Sequence, residues 1–391
     1  MQTRVLKFKL RPLNRNKEVR LRTLKDVFTE AVRFHIGVIA SLKTTSSNRI
    51  HHACYSEART RFPLPAATIQ QARDKALSAY RSYLDRKKKG RRSSVPVFRH
   101  ALPLRLAAEN LRIFPDRAMV RITTPDGFLW LPLIIPFVFK DAVRLPHAVS
   151  EIVQKDRDWY LMLSVKSEDV PALDGPHFGL DLGVANLAVL SGPRIVKFFD
   201  GKPLRYVRGR YFLYRQSLQK KRKIGMVKRS KGKESRWATD HNHKVSREIV
   251  NIVAGAGGVL HVEKLLGIRD RTKGTRKVNR MLHSWAFSQL LNMICYKAAL
   301  MGVRVAKEDP RHTSQRCSRC GHTERKNRQK QAQFKCKKCD YECHTDLNAA
   351  RNLAARRASS LSVGDVTAPQ NGERMSNNVT HRDNRNLVSS L

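Results

Sequence analysis

The sequence predicts an α/β domain together with a small β-barrel or sandwich, and a metal-binding ribbon between the last strand and the last helix of the α/β part. Three observations predict it. Between residues 96 and 166, short β-rich runs alternate with turn residues, the pattern of a small all-β unit. From about residue 178, strand-like and helical stretches alternate, the order that an α/β sheet needs. Two Cys-x-x-Cys pairs, Cys317/Cys320 and Cys336/Cys339, then precede the final helical stretch, and paired thiolates at such spacing hold metal.

The elements follow in chain order. Residues 4–10 alternate basic and apolar side chains. Leu6, Phe8 and Leu10 share one face and Lys7 and Lys9 the other, so the segment reads as a strand. Residues 16–42 set Leu21, Leu24, Val27, Phe28, Ala31, Val32 and His35 near helical spacing. A second helix is predicted over 66–89. It runs into the basic stretch 86–92, after which Ser93, Ser94 and Pro96 mark a loop. The β-rich region contains AMVRITT, the turn Pro125-Asp126-Gly127, GFLWLPL and WYLMLSVK. Pro171 and Pro176 mark a boundary. Residues 178–190 (FGLDLGVANLAVL) read as two strands joined at glycine. Residues 205–252 read as mostly helical. Their first part, 205–236, holds 13 Lys/Arg and one acid, Glu234. Residues 257–262 read as a buried strand ending at Glu263, 285–301 as a helix, and GVRVAKE as a further strand. In residues 361–391, Asp365, Glu373 and Asp383 offset Arg374, Arg382 and Arg385. That segment is expected to be a disordered neutral tail.

The charge therefore belongs to the folded part. With 77 Lys+Arg against 32 Asp+Glu, the net charge is +45. The hydrophobic fraction of 41% is enough to fold, which argues against a disordered polycation. A compact chain so charged repels itself unless a polyanion joins it. Nucleic acid is the leading candidate and an anionic membrane surface the alternative. The opening MQTRVLKFKL has no apolar core, so a secretory signal is not expected. The longest apolar run, residues 129–139, contains two prolines and is too short to span a bilayer. A cytoplasmic, nucleoid-associated protein without a membrane partner is expected. There, cysteine pairs suggest metal rather than disulfides.

Fifteen residues separate Cys320 from Cys336. Two knuckles so spaced can set four thiolates around Zn²⁺, and a four-thiolate site is structural because no coordination position is open. Cys343, Cys54 and Cys295 read as spectators. Three carboxylates stand at element boundaries: Asp181 in FGLDLG, Glu263 ending GVLHVE, and Asp346 opening DLNAARNLAARRA. If a fold gathered them, they could hold two Mg²⁺ ions about 4 Å apart around a phosphodiester. Each also suits a plainer role. Asp346 could cap its helix, Asp181 could serve a turn, and Glu263 could be a surface charge. In the stretch RYVRGRYFLYR (205–215) aromatics interleave with cations. Core packing is favoured for each single aromatic, and phosphate binding for the run. Some of the rings could stack on bases.

These residues carry a family resemblance. Gly179-Leu180-Asp181-Leu182-Gly183 with Asn186-Leu187-Ala188-Val189 resembles the first RuvC motif of the TnpB proteins, transposon-encoded RNA-guided DNA endonucleases related to compact type V CRISPR effectors. Val262-Glu263-Lys264-Leu265 resembles the second, and Trp285-Ala286-Phe287 with Tyr296-Lys297-Ala298 the helix after it. Thr313-Ser314-Gln315-x-Cys317-Ser318-x-Cys320-Gly321 and Phe334-x-Cys336-x₂-Cys339 resemble the family's zinc ribbon. Asp346-x-Asn348-Ala349-Ala350-x-Asn352 resembles the third RuvC motif. The departures are Asp340, where the family often has glycine, and Cys343-His344, where small residues are usual. Neither removes a ligand or an acid.

The resemblance implies an RNase H-like RuvC core at 173–311 and 344–360, with a zinc-ribbon target-nucleic-acid-binding module at 312–343. It also implies a wedge-type β-barrel at 1–12 and 93–172 with a helical recognition region inserted at 13–92. Asp181, Glu263 and Asp346 would be catalytic and bind magnesium. Cys317, Cys320, Cys336 and Cys339 would bind structural zinc. The partners implied are a guide RNA from the transposon end and target double-stranded DNA, with no protein partner required. The activity implied is cleavage of both strands beside a short flanking motif, by two-metal-ion hydrolysis at one RuvC site. The alternatives are a non-cleaving RNA-guided regulator, which would lose acids of the triad, and a compact CRISPR effector, which differs in the source of its guide. A strand-transferring transposase is disfavoured, because no further nucleophile motif is present.

Overall fold

A computed structural model describes residues 2–264, 287–330 and 332–356. The expected tail at 361–391 and the motif residues Trp285, Ala286 and Leu265 lie outside the described residues. The chain forms two compact units, one up to Glu168 and one from Asp169.

The first unit opens with β1 (Gln2–Leu10), whose Leu6, Phe8 and Leu10 are buried and whose Lys7 and Lys9 are exposed. Helix α1 (Arg15–Leu42) starts where the Asn14 side chain accepts the Lys17 N–H at 2.9 Å, a side-chain N-cap. It buries Leu21, Leu24, Phe28, Ala31, Val32 and His35. Helix α2 (Ser47–Arg61) was not foreseen. It buries only Ile50, Cys54 and Ala58, a stripe too thin and too interrupted by polar residues to stand out as a helical period. Helix α3 (Ala66–Lys88) packs on α1. Six strands follow: β2 (Leu104–Leu106), β3 (Leu111–Phe114), β4 (Met119–Thr124), β5 (Gly127–Ile134), β6 (Ser150–Lys155) and β7 (Asp158–Ser167). With β1 they make one seven-stranded sheet in the order β2-β6-β7-β1-β5-β4-β3. Every pairing in it is antiparallel.

The second unit contains β8 (His177–Asp181), β9 (Asn186–Ser191) and β10 (Val196–Asp200). The two strands expected from 178–190 are present as β8 and β9, and β10 adds a hairpin partner that the sequence did not reveal. The basic region is three helices: α4 (Lys202–Lys220), α5 (Ile224–Ser230) and α6 (Lys233–Gly255). Then come β11 (Val259–Glu263), α7 (Phe287–Leu300) and β12 (Val305–Glu308). A ribbon with β13 (Gln333–Lys335) and β14 (Glu342–His344) leads into α8 (Thr345–Ala354). The five-stranded sheet runs β10-β9-β8-β11-β12. It is mixed, with β11 parallel to both β8 and β12 and the rest antiparallel. Strands β9 and β11 are almost wholly buried, as strands covered on both faces must be. Leu180, Leu260 and Val262 join Ile249 and Val253 of α6 and Leu290 and Ile294 of α7 in one apolar cluster. No described helix is long and apolar enough to cross a membrane.

Candidate active site

Strands β8 and β11 pair in parallel with His177 opposite Val259 and Leu180 opposite Val262. One step further along each strand stand Asp181 and Glu263. The parallel register thus brings these two acids side by side at the carboxyl end of the sheet, where open α/β sheets place their sites.

The third acid arrives on α8, which packs against β8 and β9. Its helix is capped by His344, whose Nδ1 accepts the Asp346 backbone N–H at 3.2 Å. Asp346 therefore sits inside the first turn and is not the cap. Its carboxylate is left to accept from Asn186 Nδ2 at 2.9 Å.

The close seating of α8 depends on Gly179. A Cβ at that position would collide with the backbone carbonyl oxygen of Ala350 and lie 2.6 Å from the Ala354 nitrogen. Backbone cannot swing aside as a side chain can. Gly179→Ala should push α8 off the sheet and cost about 1–3 kcal/mol or more. The expected result is a lower melting temperature by circular dichroism, together with impaired nuclease activity. An unchanged melt would show that the helix has room to move.

Two of the acids act on the third. Burial pushes the Asp181 carboxyl well above the usual carboxylate range, and the charges of Glu263 and Asp346 push it further, while Arg328 opposes them. Burial also raises Glu263, against the Thr313 hydroxyl, which donates to its Oε1, and the charge of Arg356. As whole residues the three are half-buried, with the Asp181 carboxyl the most deeply desolvated of them. A buried carboxylate strained by two neighbouring ones is a set of hard oxygen donors whose repulsion a divalent cation would relieve. Asp181 is the last residue of a strand and Glu263 is half-buried under a hydroxyl donor, so neither the turn role nor the plain surface role describes them.

The four predicted cysteines come together. Their sulfurs all lie within 4.8 Å of one another, with Cys317 and Cys339 at 3.7 Å and Cys320 and Cys336 at 3.6 Å. Zn–S bonds of about 2.3 Å in a tetrahedron require sulfur separations of about 3.8 Å. The site has the size for a zinc ion. Among the described residues, this is the one set of three or more His, Cys, Asp and Glu side chains gathered so tightly; the three carboxylates are not gathered to that degree.

The two knuckles repeat one hydrogen-bond pattern. Cys317 N–H donates to His322 O and Gly321 N–H to Cys317 O, as Cys336 N–H does to Tyr341 O and Asp340 N–H to Cys336 O. Each knuckle turns on a left-handed residue, Gly321 at φ +77° and Asp340 at φ +51°. Aspartate is among the few side chains that tolerate this region, which explains how Asp340 stands where glycine is usual. Cys343 lies against the ribbon core and burial raises its thiol. It behaves as a small apolar residue, as do buried Cys54 and half-buried Cys295.

Asn327 and Arg328 had no local signal, and the roles of the motif residues Asn348 and Asn352 emerge only from the fold. Asn327 is fully buried and holds both knuckles, donating to Gln315 O and His322 O and accepting from Lys337 N–H. Asn348 of α8 accepts the Ser318 N–H and donates to Arg316 O, and Asn352 donates to Thr313 O and Arg316 O. The ribbon is thus bolted to the helix that carries Asp346. Arg328, from the ribbon, is the cation that acts on Asp181.

The Cas12f1-like TNB domain family matches residues 287–353, from α7 through the ribbon to α8. The CRISPR-associated endodeoxyribonuclease Cas12f1 of Sulfoacidibacillus thermotolerans is 27% identical over 78% of this chain and 80% of its own length. The putative RNA-guided DNA endonuclease InsQ of Escherichia coli is 25% identical over 77% of each chain. In fold, the chain resembles the Cas12f1 protein solved with its single-guide RNA and target DNA, with a TM-score of 0.65 and 18% identity over 88% of this chain and 83% of that one. Sequence and ribbon point the same way: the chain is similar to the TnpB-like proteins and to their compact Cas12f1-like relatives.

Proposed function

We propose that this chain is an RNA-guided, metal-dependent DNA endonuclease. The observation that carries the reading is the convergence of Asp181, Glu263 and Asp346 at one end of the mixed sheet. On this reading the five-stranded sheet and α8 form an RNase H-like RuvC domain, 173–311 with 344–360. Residues 312–343 form its zinc-bearing target-binding module. The seven-stranded sheet, 1–12 with 93–172, serves as the wedge-type barrel, and α1 to α3 as the recognition helices within 13–92.

Asp181, Glu263 and Asp346 would hold Mg²⁺. The bound ions would activate water and offset charge on the leaving 3′ oxygen. The chain's own groups set the stage for that chemistry. Asn186 orients Asp346, Thr313 orients Glu263, and Arg328 keeps a fixed cation beside Asp181 where a phosphodiester would enter. The ribbon cysteines would hold zinc for shape alone.

A guide RNA supplies sequence reading by base pairing in such systems, and the charge of +45 suits an RNA together with a DNA duplex. The outer face of β3, β4 and β5 adds a cationic, aromatic ladder. Arg112, Arg121 and Trp130 lie directly opposite one another across the three strands. The presence of all three acids argues against a non-cleaving regulator. The guide would come from the transposon end; a CRISPR array would supply the same chemistry.

The test is to sequence RNA that co-purifies with the protein. A discrete species is expected, and its genomic origin identifies the guide's source. Finding none would overturn the guided reading and leave a plain DNA-binding protein.

A further inference from the structure

Helix α4 does not use its aromatic residues as core. It buries only Leu204 and Leu218. Tyr206 is 64% exposed and Tyr214 44% exposed. Tyr206, Arg210 and Tyr214 recur every four residues and so line one face of the helix. Across from them stand Met226 and Arg229 of α5 and Lys233 at the start of α6, and together these residues line a cavity of about 590 Å³. That size is ordinary for a small-ligand pocket, ~300–1,000 Å³.

The electrostatics of the pocket are one-sided. Glu234, the single acid of the 205–236 stretch, is already taken: Arg215 binds it at 2.7 Å and Arg208 lies 4.0 Å away. That pairing ties α4 to α6 and leaves the cavity wall without a counter-charge. Arg210, Arg229 and Lys233 form no ion pair with any described residue. Arg210 rests its guanidinium over the Tyr206 ring at 5.7 Å. A protein that leaves two tyrosine rings largely exposed, rimmed by three cations with no ion-pair partner among the described residues, presents a flat π surface and anion donors together. A nucleotide offers the matching pair, a base face and a phosphate. A base within a duplex has no free face to offer.

We infer that the α4–α5–α6 pocket binds one unpaired nucleotide, its base against Tyr206 and Tyr214 and its phosphate among Arg210, Arg229 and Lys233. The inference deepens the nucleic-acid reading above and rests on it only for the source of the strand, which is RNA of the guide or a displaced DNA strand.

The experiment uses the purified full chain, stripped of co-purified nucleic acid. Single-stranded RNA bearing 4-thiouridine and single-stranded DNA bearing 5-iododeoxyuridine are the two probes, with the matching duplexes as controls. Photo-crosslinks, mapped by mass spectrometry, are expected on Tyr206 or Tyr214, and the probe that crosslinks tells the source. Tyr206→Leu with Tyr214→Leu should weaken single-strand binding roughly tenfold or more. Duplex binding should stay unchanged, and the double Phe variant should bind like wild type because it keeps the rings. These residues are exposed, so the Leu variant should fold, which melting temperature checks. Unchanged single-strand affinity in the Leu variant, or crosslinks confined to other elements, would overturn the inference. So would a change in oligomeric state with binding intact, which would show that a second copy covers the patch. Cleavage by the wild-type chain is scored separately, so a failed pocket and a failed nuclease reading give different results.

Discussion

Asp181→Ala is expected to abolish DNA cleavage, with a loss on the order of a thousandfold or more, because several kcal/mol of charge stabilisation by bound metal are lost with the ligand. The same substitution should leave the fold intact or firmer. Asp181 is the carboxylate that burial, Glu263 and Asp346 all push toward its neutral form. Removing it relieves repulsion that the folded chain otherwise carries. Guided DNA binding should survive. Cleavage assays with the co-purified RNA, run beside thermal melts, check both halves. Persistent cleavage by the pure variant would sink the triad. A melt lower by several degrees would show that Asp181 supports the fold rather than opposing it.

The second large effect is expected at the ribbon. Among the described residues its buried apolar core is only Cys317, Phe334 and Cys336, too little to hold a fold without a staple. Structural zinc contributes about 10 kcal/mol or more to small modules of this kind. Cys336→Ala, or prolonged treatment with a strong chelator, should release zinc and unfold the ribbon. The consequence should reach the nuclease site. Asn348 and Asn352 bind the ribbon backbone at Thr313, Arg316 and Ser318, Thr313 holds Glu263, and Arg328 leaves Asp181. Metal content by mass spectrometry should fall from one zinc to none, and cleavage should fall with it. Full cleavage in a zinc-free protein would refute the coupling.

The ribbon was legible in the sequence because four cysteines at this spacing rarely do anything but bind metal. The acids were less securely legible. Each acid alone suited a cap, a turn or a surface, and only the register of β8 with β11 shows that Asp181 and Glu263 are neighbours. Arg328 was not legible. It reaches Asp181 from a loop of the ribbon, and no local period marks a residue whose role lies 147 positions upstream in the chain. Asn327 was hidden in the same way, since its partners are backbone atoms on both sides of it. Helix α4 shows the opposite limit. Its aromatics recur at helical spacing, which sequence reading takes for core, yet spacing reports only which residues share a face and not whether anything covers it. The strands of the first unit were legible from alternation. Their joining into one seven-stranded sheet was not, because pairing between β1 and β7 spans nearly the whole unit.

The contact between Asn186 and Asp346 spans 160 residues, and it sets an order of events during synthesis. Strands β8 and β9 leave the ribosome long before α8 exists. Until α8 emerges, the sheet lacks Asp346, the two asparagines that anchor the ribbon, and the helix that covers Gly179. Domains form in step with translation, at about 5–20 residues per second, so the nascent chain passes several seconds with two acids and no third. A partly made chain therefore carries the basic helices α4 to α6 while the set of three acids is still incomplete. The gathering of the three acids is completed by the last described helix, after both sheets have had time to fold.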